Sequence, residues 1–151
     1  MEEVVIETIK NLYKKYEEIV NYLIVGVMTT IVSWVAKFAC AFTFLSNYEE
    51  VAWQNMLLSI INWTAGVIFA YFTNRKFVFK STETNRIKET SKFVASRVFT
   101  LFLDMIVMFV TVNMMGIDLL PATIFSAVLV VITNYIFSKL LVFRKKEETV
   151  E

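Results

Sequence analysis

The sequence predicts an all-α membrane protein in which four transmembrane helices form two parallel-repeat hairpins, preceded by an N-terminal amphipathic surface helix. Three observations predict this fold class. The chain of 151 residues is 57% hydrophobic and 19% charged, whereas a soluble domain is about half apolar and about a quarter charged. Its apolar residues are concentrated in four long stretches. A motif at the end of the second stretch recurs at the end of the fourth.

The N-terminal segment, residues 1–20, is predicted to form an amphipathic helix. Its apolar residues recur at the spacing of one helix face, and lysines and glutamates fill the opposite face. The apolar positions are Val5, Ile9, Leu12, Tyr16 and Ile19. Two placements are open: the helix lies on the membrane surface, or it is solvated and packs on a neighbour. We expect no cleaved leader, because the first apolar stretch begins near Tyr22 and is too long for a signal-peptide h-region.

Each of the four apolar stretches is long enough for the roughly 20 residues that a spanning helix needs. They are residues 22–45, 51–73, 93–112 and 119–143. Only short links join the first stretch to the second and the third to the fourth, so each pair is predicted to form a helical hairpin. We assign residues 21–146 to one transmembrane domain and residues 147–151 to a cytoplasmic tail.

Lysine and arginine are distributed unevenly along the chain. They lie in the N-terminal segment, in the loop between the second and third spans, and in the C-terminal tail. The only charged residues of the two hairpin links are Glu49, Glu50 and Asp118. The positive-inside rule then predicts that both termini and the central loop are cytoplasmic. Both halves would begin and end on the same side, as parallel repeats do, and the polar loop 80–92 would be a connector that fixes this topology.

One motif occurs twice, at a constant offset of about 64 residues. Ala70-Tyr71-x-x-Asn74-Arg75-x-x-Val78-Phe79 recurs as Asn134-Tyr135-x-x-Ser138-Lys139-x-x-Val142-Phe143. Each copy places a cation where an apolar stretch meets water, with a Val-Phe pair just after it. Internal repeats joined to membrane spans are typical of transporters. The apolar residues of this structural motif are expected to pack a helix end against the bundle or to anchor it: Ala70, Val78, Phe79, Phe93, Val142 and Phe143.

Several polar and ionisable side chains lie inside the spans or at their ends, where a charge costs a few kcal/mol on insertion scales. They are the candidate substrate-binding residues: Lys37, Asn74, Arg75, Arg97, Asp104, Asn134 and Lys139. Arg75, Arg97 and Lys139 would collect a phosphate at the inner leaflet, to which the planar guanidinium is well suited. The two asparagines would supply neutral donors, and Lys37 would be a second cation on the far side of the bilayer.

Each of these residues also has a structural interpretation. Arg75 and Lys139 would snorkel to lipid headgroups at the helix ends, and Lys37 would snorkel outward. Asp104 would neutralise Lys37 or Arg97, or hydrogen-bond to a neighbouring helix. The asparagines would join helices through interhelical hydrogen bonds.

The composition argues against several function classes. The net charge is +1, so no bulk field attracts nucleic acid. The chain has no histidine and one cysteine, so it lacks the commonest general base and metal ligand and cannot form an intramolecular disulfide. We expect no metal, no cofactor and no enzymatic activity. A glycosyltransferase in particular is disfavoured, because the outer links are too short to hold a catalytic domain.

From about Tyr22 to Arg144, the sequence resembles the GtrA-like family of small four-span membrane proteins. The segments that carry the resemblance are Tyr22-Leu-Ile-Val-Gly26 with Thr29-Thr30, Phe72-x-Asn74-Arg75-x-x-Val78-Phe79, and the second motif copy. Family members are implicated in moving polyprenyl-phosphate-linked sugars across the bacterial cytoplasmic membrane, or in assisting that step. Among them, the chain looks most like the teichoic acid glycosylation proteins of Gram-positive bacteria. By resemblance, the functional positions are Asn74, Arg75, Val78, Phe79, Asn134 and Lys139.

The resemblance and the charges together predict a flippase for an undecaprenyl-type polyprenyl-phosphate sugar in cell-wall polysaccharide biosynthesis. Four helices alone would make a poor groove for such a head, so we expect a homo-oligomer surrounded by membrane lipids. One alternative is a non-transporting subunit that positions a membrane glycosyltransferase. Another is an exporter of cationic drugs with Asp104 as the coupling carboxylate, which the surrounding cations disfavour.

Overall fold

The structure, a computed structural model, describes residues 2–45 and 50–143, except for the side chains of residues 2–5 and 9. Residues 46–49 of the first link, the predicted tail and the side chains of Val5 and Ile9 therefore lie outside the described residues. The helices are α1 (Glu2–Thr43), α2 (Ala52–Thr73), α3 (Arg86–Met108) and α4 (Leu119–Phe137). Wide π-helical turns follow three of them: π1 (Asn74–Val78), π2 (Phe109–Met114) and π3 (Ser138–Val142).

Four helical segments are long and apolar enough to cross a membrane, which confirms the prediction of an all-α, four-span membrane protein. They are Ile6–Thr43, Ala52–Val78, Arg86–Met114 and Leu119–Val142. The third begins before the predicted limit at residue 93, because the side chain of Asn85 caps it. Asn85 accepts a hydrogen bond from the backbone N–H of Lys88 at 3.0 Å. The last part of loop 80–92 is therefore helix rather than connector.

Helix α1 runs without interruption through the predicted surface segment and the first span. Its 42 residues extend over about 63 Å at about 1.5 Å per residue, roughly twice the 30 Å hydrocarbon layer. An unbroken helix that crosses a bilayer projects beyond it, so its N-terminal part lies on the membrane only if α1 bends or tilts. Leu12, Tyr16 and Ile19 are exposed in this part. The surface placement of the helix stays a prediction.

The chain divides into two compact units: Met1–Lys80 and Ser81–Glu151. In the first unit, α1 packs against α2. Leu45, just after α1, is buried with Leu58 of α2. The ring of Tyr22 packs against that of Phe79, with centres 6.3 Å apart. These contacts follow opposite directions along the two helices, so α1 and α2 are antiparallel.

In the second unit, α3 packs against α4. Phe93, near the start of α3, packs against Phe143 after α4, with ring centres 5.8 Å apart. Further along α3, Asp104 contacts Ser126 of α4. This pair is antiparallel as well, and it brings the second motif copy back to the start of α3. The parallel relation of the two halves stays a prediction.

Candidate functional site

The first motif copy lies at the end of α2 and in π1. Asn74, Val78 and Phe79 are buried, and the Phe79 N–H donates to the Asn74 carbonyl at 2.9 Å across the wide turn. Arg75 turns back along the helix, and its Nη1 donates to the Tyr71 hydroxyl at 3.3 Å. A π-helical turn at the end of an α-helix is frequent at functional sites.

The second motif copy repeats this arrangement at the end of α4 and in π3. Ser138, Val142 and Phe143 are buried, and the Phe143 N–H donates to the Ser138 carbonyl at 2.8 Å. Lys139 Nζ donates to the Tyr135 hydroxyl at 3.2 Å. Both copies thus place a tyrosine one turn before the cation and pack a Val-Phe pair inward. The same residue pattern has produced the same local geometry.

Both copies also bury a polar atom that has no hydrogen-bond partner among the described residues. These atoms are Asn74 Oδ1 and Ser138 Oγ, at equivalent positions of the repeat. Asn74 is 2% exposed and Ser138 is 0% exposed. Buried polar groups are normally paired, and leaving one unpaired costs about 1–3 kcal/mol. The repeat thus keeps an unpaired buried polar atom at the same position in both copies, and Asn62 Oδ1 is a further such atom outside the motif.

Arg97 is half-buried at the middle of α3, about three turns after the start of the helix at Arg86. Its guanidinium carbon lies 4.6 Å from the centre of the Phe93 ring, and its Nε is buried without a hydrogen-bond partner. Among the described residues, no carboxylate pairs with it. The guanidinium of Arg97 is therefore held against an aromatic face, and no described carboxylate of the second unit neutralises its charge.

Asp104 lies two turns further along α3 and is half-buried. Its carboxylate accepts a hydrogen bond from the hydroxyl of Ser126 on α4. Of the structural interpretations weighed for Asp104, the structure contains the hydrogen bond to a neighbouring helix and not an ion pair with Arg97.

Asn134 joins α4 to α3. Its Oδ1 accepts a hydrogen bond from the hydroxyl of Thr100 at 3.0 Å, and Thr100 also donates to the carbonyl of Arg97 at 3.1 Å. The carbonyl end of the Asn134 amide thus connects the helices, while its nitrogen has no partner among the residues described. Asn134 therefore lies level with Thr100, about one helical turn from Arg97 along α3.

The predicted substrate-binding residues are divided between the two units. The first unit holds Lys37, Asn74 and Arg75, and the second holds the other four. Lys37 is half-buried on α1 and has no hydrogen bond or ion pair to a described residue. The second unit brings Arg97 and Asn134 together. A cavity shared by Arg75 and the cations of the second unit stays a prediction.

Two kinds of residue were not predicted from the sequence: the polar residues that pair with candidate residues across helices, and a lysine that lines a groove. Thr100 and Ser126 are buried polar partners of candidate residues, and their place inside apolar spans was a signal that they pair across helices. Lys76 follows the motif arginine directly and lines a groove of the first unit together with Lys80. No group of three or more His, Cys, Asp or Glu side chains is placed to hold a metal ion within the part of the chain that the structure describes.

Comparison with known proteins gives both a family and relatives. The model of the GtrA/DPMS transmembrane domain matches residues 21–143. The chain is 36% identical over 132 residues to the cell wall teichoic acid glycosylation protein GtcA of Listeria monocytogenes, covering 85% of this chain and 86% of the relative. It is 35% identical over 132 residues to the protein of the same name from Listeria innocua, with the same coverage.

A further relative is the uncharacterized membrane protein YwcD of Bacillus subtilis. The chain is 32% identical to it over 130 residues, which are 84% of this chain and 97% of the relative. No solved structure matches the chain significantly.

Proposed function

The chain belongs to the GtrA/DPMS transmembrane-domain family, and we propose that it moves a polyprenyl-phosphate-linked sugar across the bacterial cytoplasmic membrane. Two relatives are named as cell wall teichoic acid glycosylation proteins, which supports a role in that process here. The head of such a lipid is polar and anionic, and its tail stays in the bilayer. Its passage therefore needs cationic and polar groups inside the hydrocarbon layer. The observation that carries the proposal is the guanidinium of Arg97, whose buried Nε has no hydrogen-bond partner and which pairs with no carboxylate among the described residues.

The energetics of Arg97 favour an anionic ligand. Placing an arginine at the centre of a spanning helix costs about 2.5–3.5 kcal/mol on insertion scales. The contact with the Phe93 ring returns about 0.5–2 kcal/mol of this. A bound phosphate offsets the remainder, because a guanidinium gives it bidentate, charge-assisted hydrogen bonds. Without a ligand, about 0.5–3 kcal/mol of the insertion cost therefore stays uncompensated.

The neighbouring polar groups support the same ligand. The amide nitrogen of Asn134 has no partner among the described residues and lies about one turn from Arg97, where it offers a neutral donor. At the motif turn of the second unit, the unpaired hydroxyl of Ser138 offers a donor for a phosphate oxygen, whereas the unpaired Asn74 Oδ1 of the first unit is an acceptor and suits a sugar hydroxyl. Among the other candidates, the cations at the motif turns and Lys37 would extend this path, as the sequence predicts.

We propose that both termini are cytoplasmic. The segments outside the spans that carry lysines and arginines are the terminal segments and the central loop, and such segments stay on the cytoplasmic side. We also propose that the protein works as a homo-oligomer, because the head of a lipid-linked sugar needs more room than four helices enclose. Mass photometry in lipid nanodiscs at nanomolar concentration measures this directly, and a purely monomeric, transport-active particle would refute it.

The test is transport by the purified protein in vesicles that contain a fluorescent polyprenyl-phosphate sugar. Arg97→Ala is expected to abolish the acceleration over protein-free vesicles. Arg97→Lys keeps the charge but not the planar fork, so it is expected to retain only part of the rate. Arg86→Ala is the matched control, because Arg86 is exposed at the start of the same helix.

The outcomes distinguish the flippase function of the protein from the part that Arg97 plays in it. If the wild-type protein gives no acceleration, the flippase proposal fails. If Arg97→Ala transports as fast as wild type at equal protein content, Arg97 has no part in the mechanism.

The second candidate function is a membrane subunit that positions a glycosyltransferase. It is favoured by the N-terminal part of α1, which extends beyond a bilayer thickness and exposes Leu12, Tyr16 and Ile19. Under this function, replacing these three residues by serine would abolish glycosylation in cells, and the wild-type protein itself would give no transport in vesicles. A variant that glycosylates normally would remove this candidate.

A further inference from the structure

A groove of about 490 Å³ lies between α1 and α2 in the first unit. One part of its lining is charged and polar: Glu17, Asn21, Thr73, Lys76 and Lys80. The rest is apolar: Ile24, Val25, Met28, Phe69 and Phe77. The groove is therefore amphipathic along its length. None of these residues belongs to the candidate set selected from the sequence.

The polar end of the groove carries an uncompensated positive charge. Lys80 Nζ lies 3.3 Å from Glu17 Oε1, so these two residues form an ion pair. Lys76 is exposed, and its Nζ lies 5.2 Å from the centre of the Phe77 ring. No carboxylate pairs with Lys76 among the described residues. An anionic group is the complement of this end.

The apolar end is open to lipid. Ile24 and Met28 lie one turn apart on α1 and are exposed, and Phe69 of α2 lines the same groove. In a bilayer, these side chains lie next to acyl chains, so a long apolar chain enters the groove sideways without crossing a polar barrier. The two ends together suit a single-chain lipid with an anionic head.

The internal repeat does not account for the groove. The residues that follow Thr73 and Lys76 by about 64 positions are Phe137 and Leu140. The second motif copy therefore forms its turn without a hydroxyl or a lysine at these positions. Lys76 thus has no cationic counterpart at the equivalent position of the second copy, so a site that depends on Lys76 is specific to the first unit.

We propose that this groove captures the lipid-linked sugar on the cytoplasmic side before the head moves. The phosphate binds Lys76, and the polyprenyl chain lies along Ile24 and Met28. Glu17 and Asn21 at the same end hydrogen-bond to sugar hydroxyls. The identity of the ligand rests on the proposed function, but the step is distinct, because capture in the first unit precedes passage by Arg97.

The test is equilibrium binding to the full-length protein in detergent micelles. The probe is a polyprenyl phosphate with a fluorophore at the chain end, and polyprenol with the same fluorophore tests the contribution of the phosphate. Lys76→Gln is expected to weaken binding of the phosphate about fivefold, because one lysine contributes about a factor of five toward an anionic lipid head. It should leave polyprenol binding unchanged. Lys88→Gln is the control, since Lys88 is exposed on α3 outside the groove.

Two further measurements make the result decisive. Met28→Trp narrows the apolar end and is expected to weaken binding of both probes. In an Arg97→Ala background, Lys76→Gln is expected to weaken phosphate binding by the same factor of about five, although Arg97→Ala itself abolishes transport, which separates capture from passage.

The inference is overturned if Lys76→Gln and Lys88→Gln have equal affinity for the phosphate probe. It is also overturned if excess phosphatidylglycerol displaces the probe as well as unlabelled polyprenyl phosphate does, because the groove then holds an ordinary phospholipid. If wild type fails to transport but binds in a Lys76-dependent way, the proposed function falls and the groove remains. If wild type transports normally but binding does not depend on Lys76, only the proposed capture by the groove is refuted.

Discussion

Two serines on the last span offer a matched test of the hydrogen bonding that the structure describes. Ser126 and Ser138 are both completely buried in the second unit, each 0% exposed. The Ser126 hydroxyl donates to Asp104, whereas the Ser138 hydroxyl has no partner. The same substitution, serine to alanine, should therefore change stability in opposite directions at the two positions.

The magnitudes follow from the partner of each hydroxyl. Hydrogen bonds to charged groups contribute about 1.5–3 kcal/mol in soluble proteins, and interhelical ones in membranes average about 0.6 and reach about 1.7. Ser126→Ala is thus expected to lower the free energy of unfolding by about 1–2 kcal/mol. Ser138→Ala removes an unpaired buried hydroxyl and should raise it by about 1 kcal/mol. The expected difference between the variants is about 2–3 kcal/mol.

Unfolding in mixed micelles of increasing sodium dodecyl sulfate content, followed by circular dichroism, measures both free energies. Ser91→Ala supplies the baseline for the helix propensity of alanine, because Ser91 is an exposed residue of α3. If Ser126→Ala and Ser138→Ala shift stability by the same amount and sign, the assignment of paired and unpaired hydroxyls is wrong. Vesicle transport should fall in Ser138→Ala despite its greater stability, because the proposed ligand contact is lost.

Two further substitutions test the packing of each unit by the same unfolding measurement. A Cβ at Gly66 would overlap the hydroxyl of Ser33, so Gly66→Ala should cost about 1 kcal/mol. In a Ser33→Ala background, the same change should instead stabilise by a few tenths of a kcal/mol or more, because alanine is the better helix former; equal effects in both backgrounds would contradict the contact. Phe143 is 3% exposed, so Phe143→Ala should cost about 3–5 kcal/mol, and a loss below about 1 kcal/mol would show that π3 does not anchor α4.

The two motif copies are alike in geometry but unlike in charge chemistry. The first copy has Arg75, whose guanidinium donates to Tyr71, and the second has Lys139, which donates to Tyr135. A lysine is a point charge and lacks the planar fork of arginine. In the second unit, the arginine is instead Arg97, on the neighbouring helix. Among the candidate residues, each unit therefore supplies one guanidinium, from different elements.

The sequence by itself determined the four spans and the inward packing of the Val-Phe pair that ends each motif copy. Continuous apolar runs of sufficient length specify spanning helices, because a bilayer leaves the backbone no partner except its own helix. The inward Val-Phe pairs followed from the repeat, and Phe79 and Phe143 are buried. The start of α3 was placed too late, since the capping hydrogen bond of Asn85 outweighed the polar composition of the loop.

Only the tertiary structure decided which polar groups are paired. Thr100 bonds to Asn134, and Ser126 bonds to Asp104, across helices whose relative register no local spacing encodes. That register is set by side-chain packing between the helices, as between Phe93 and Phe143. Within the described ranges, the same packing leaves Arg97 without a carboxylate partner. A linear pattern specifies where a charge enters the membrane, but antiparallel contact between helices specifies what compensates it.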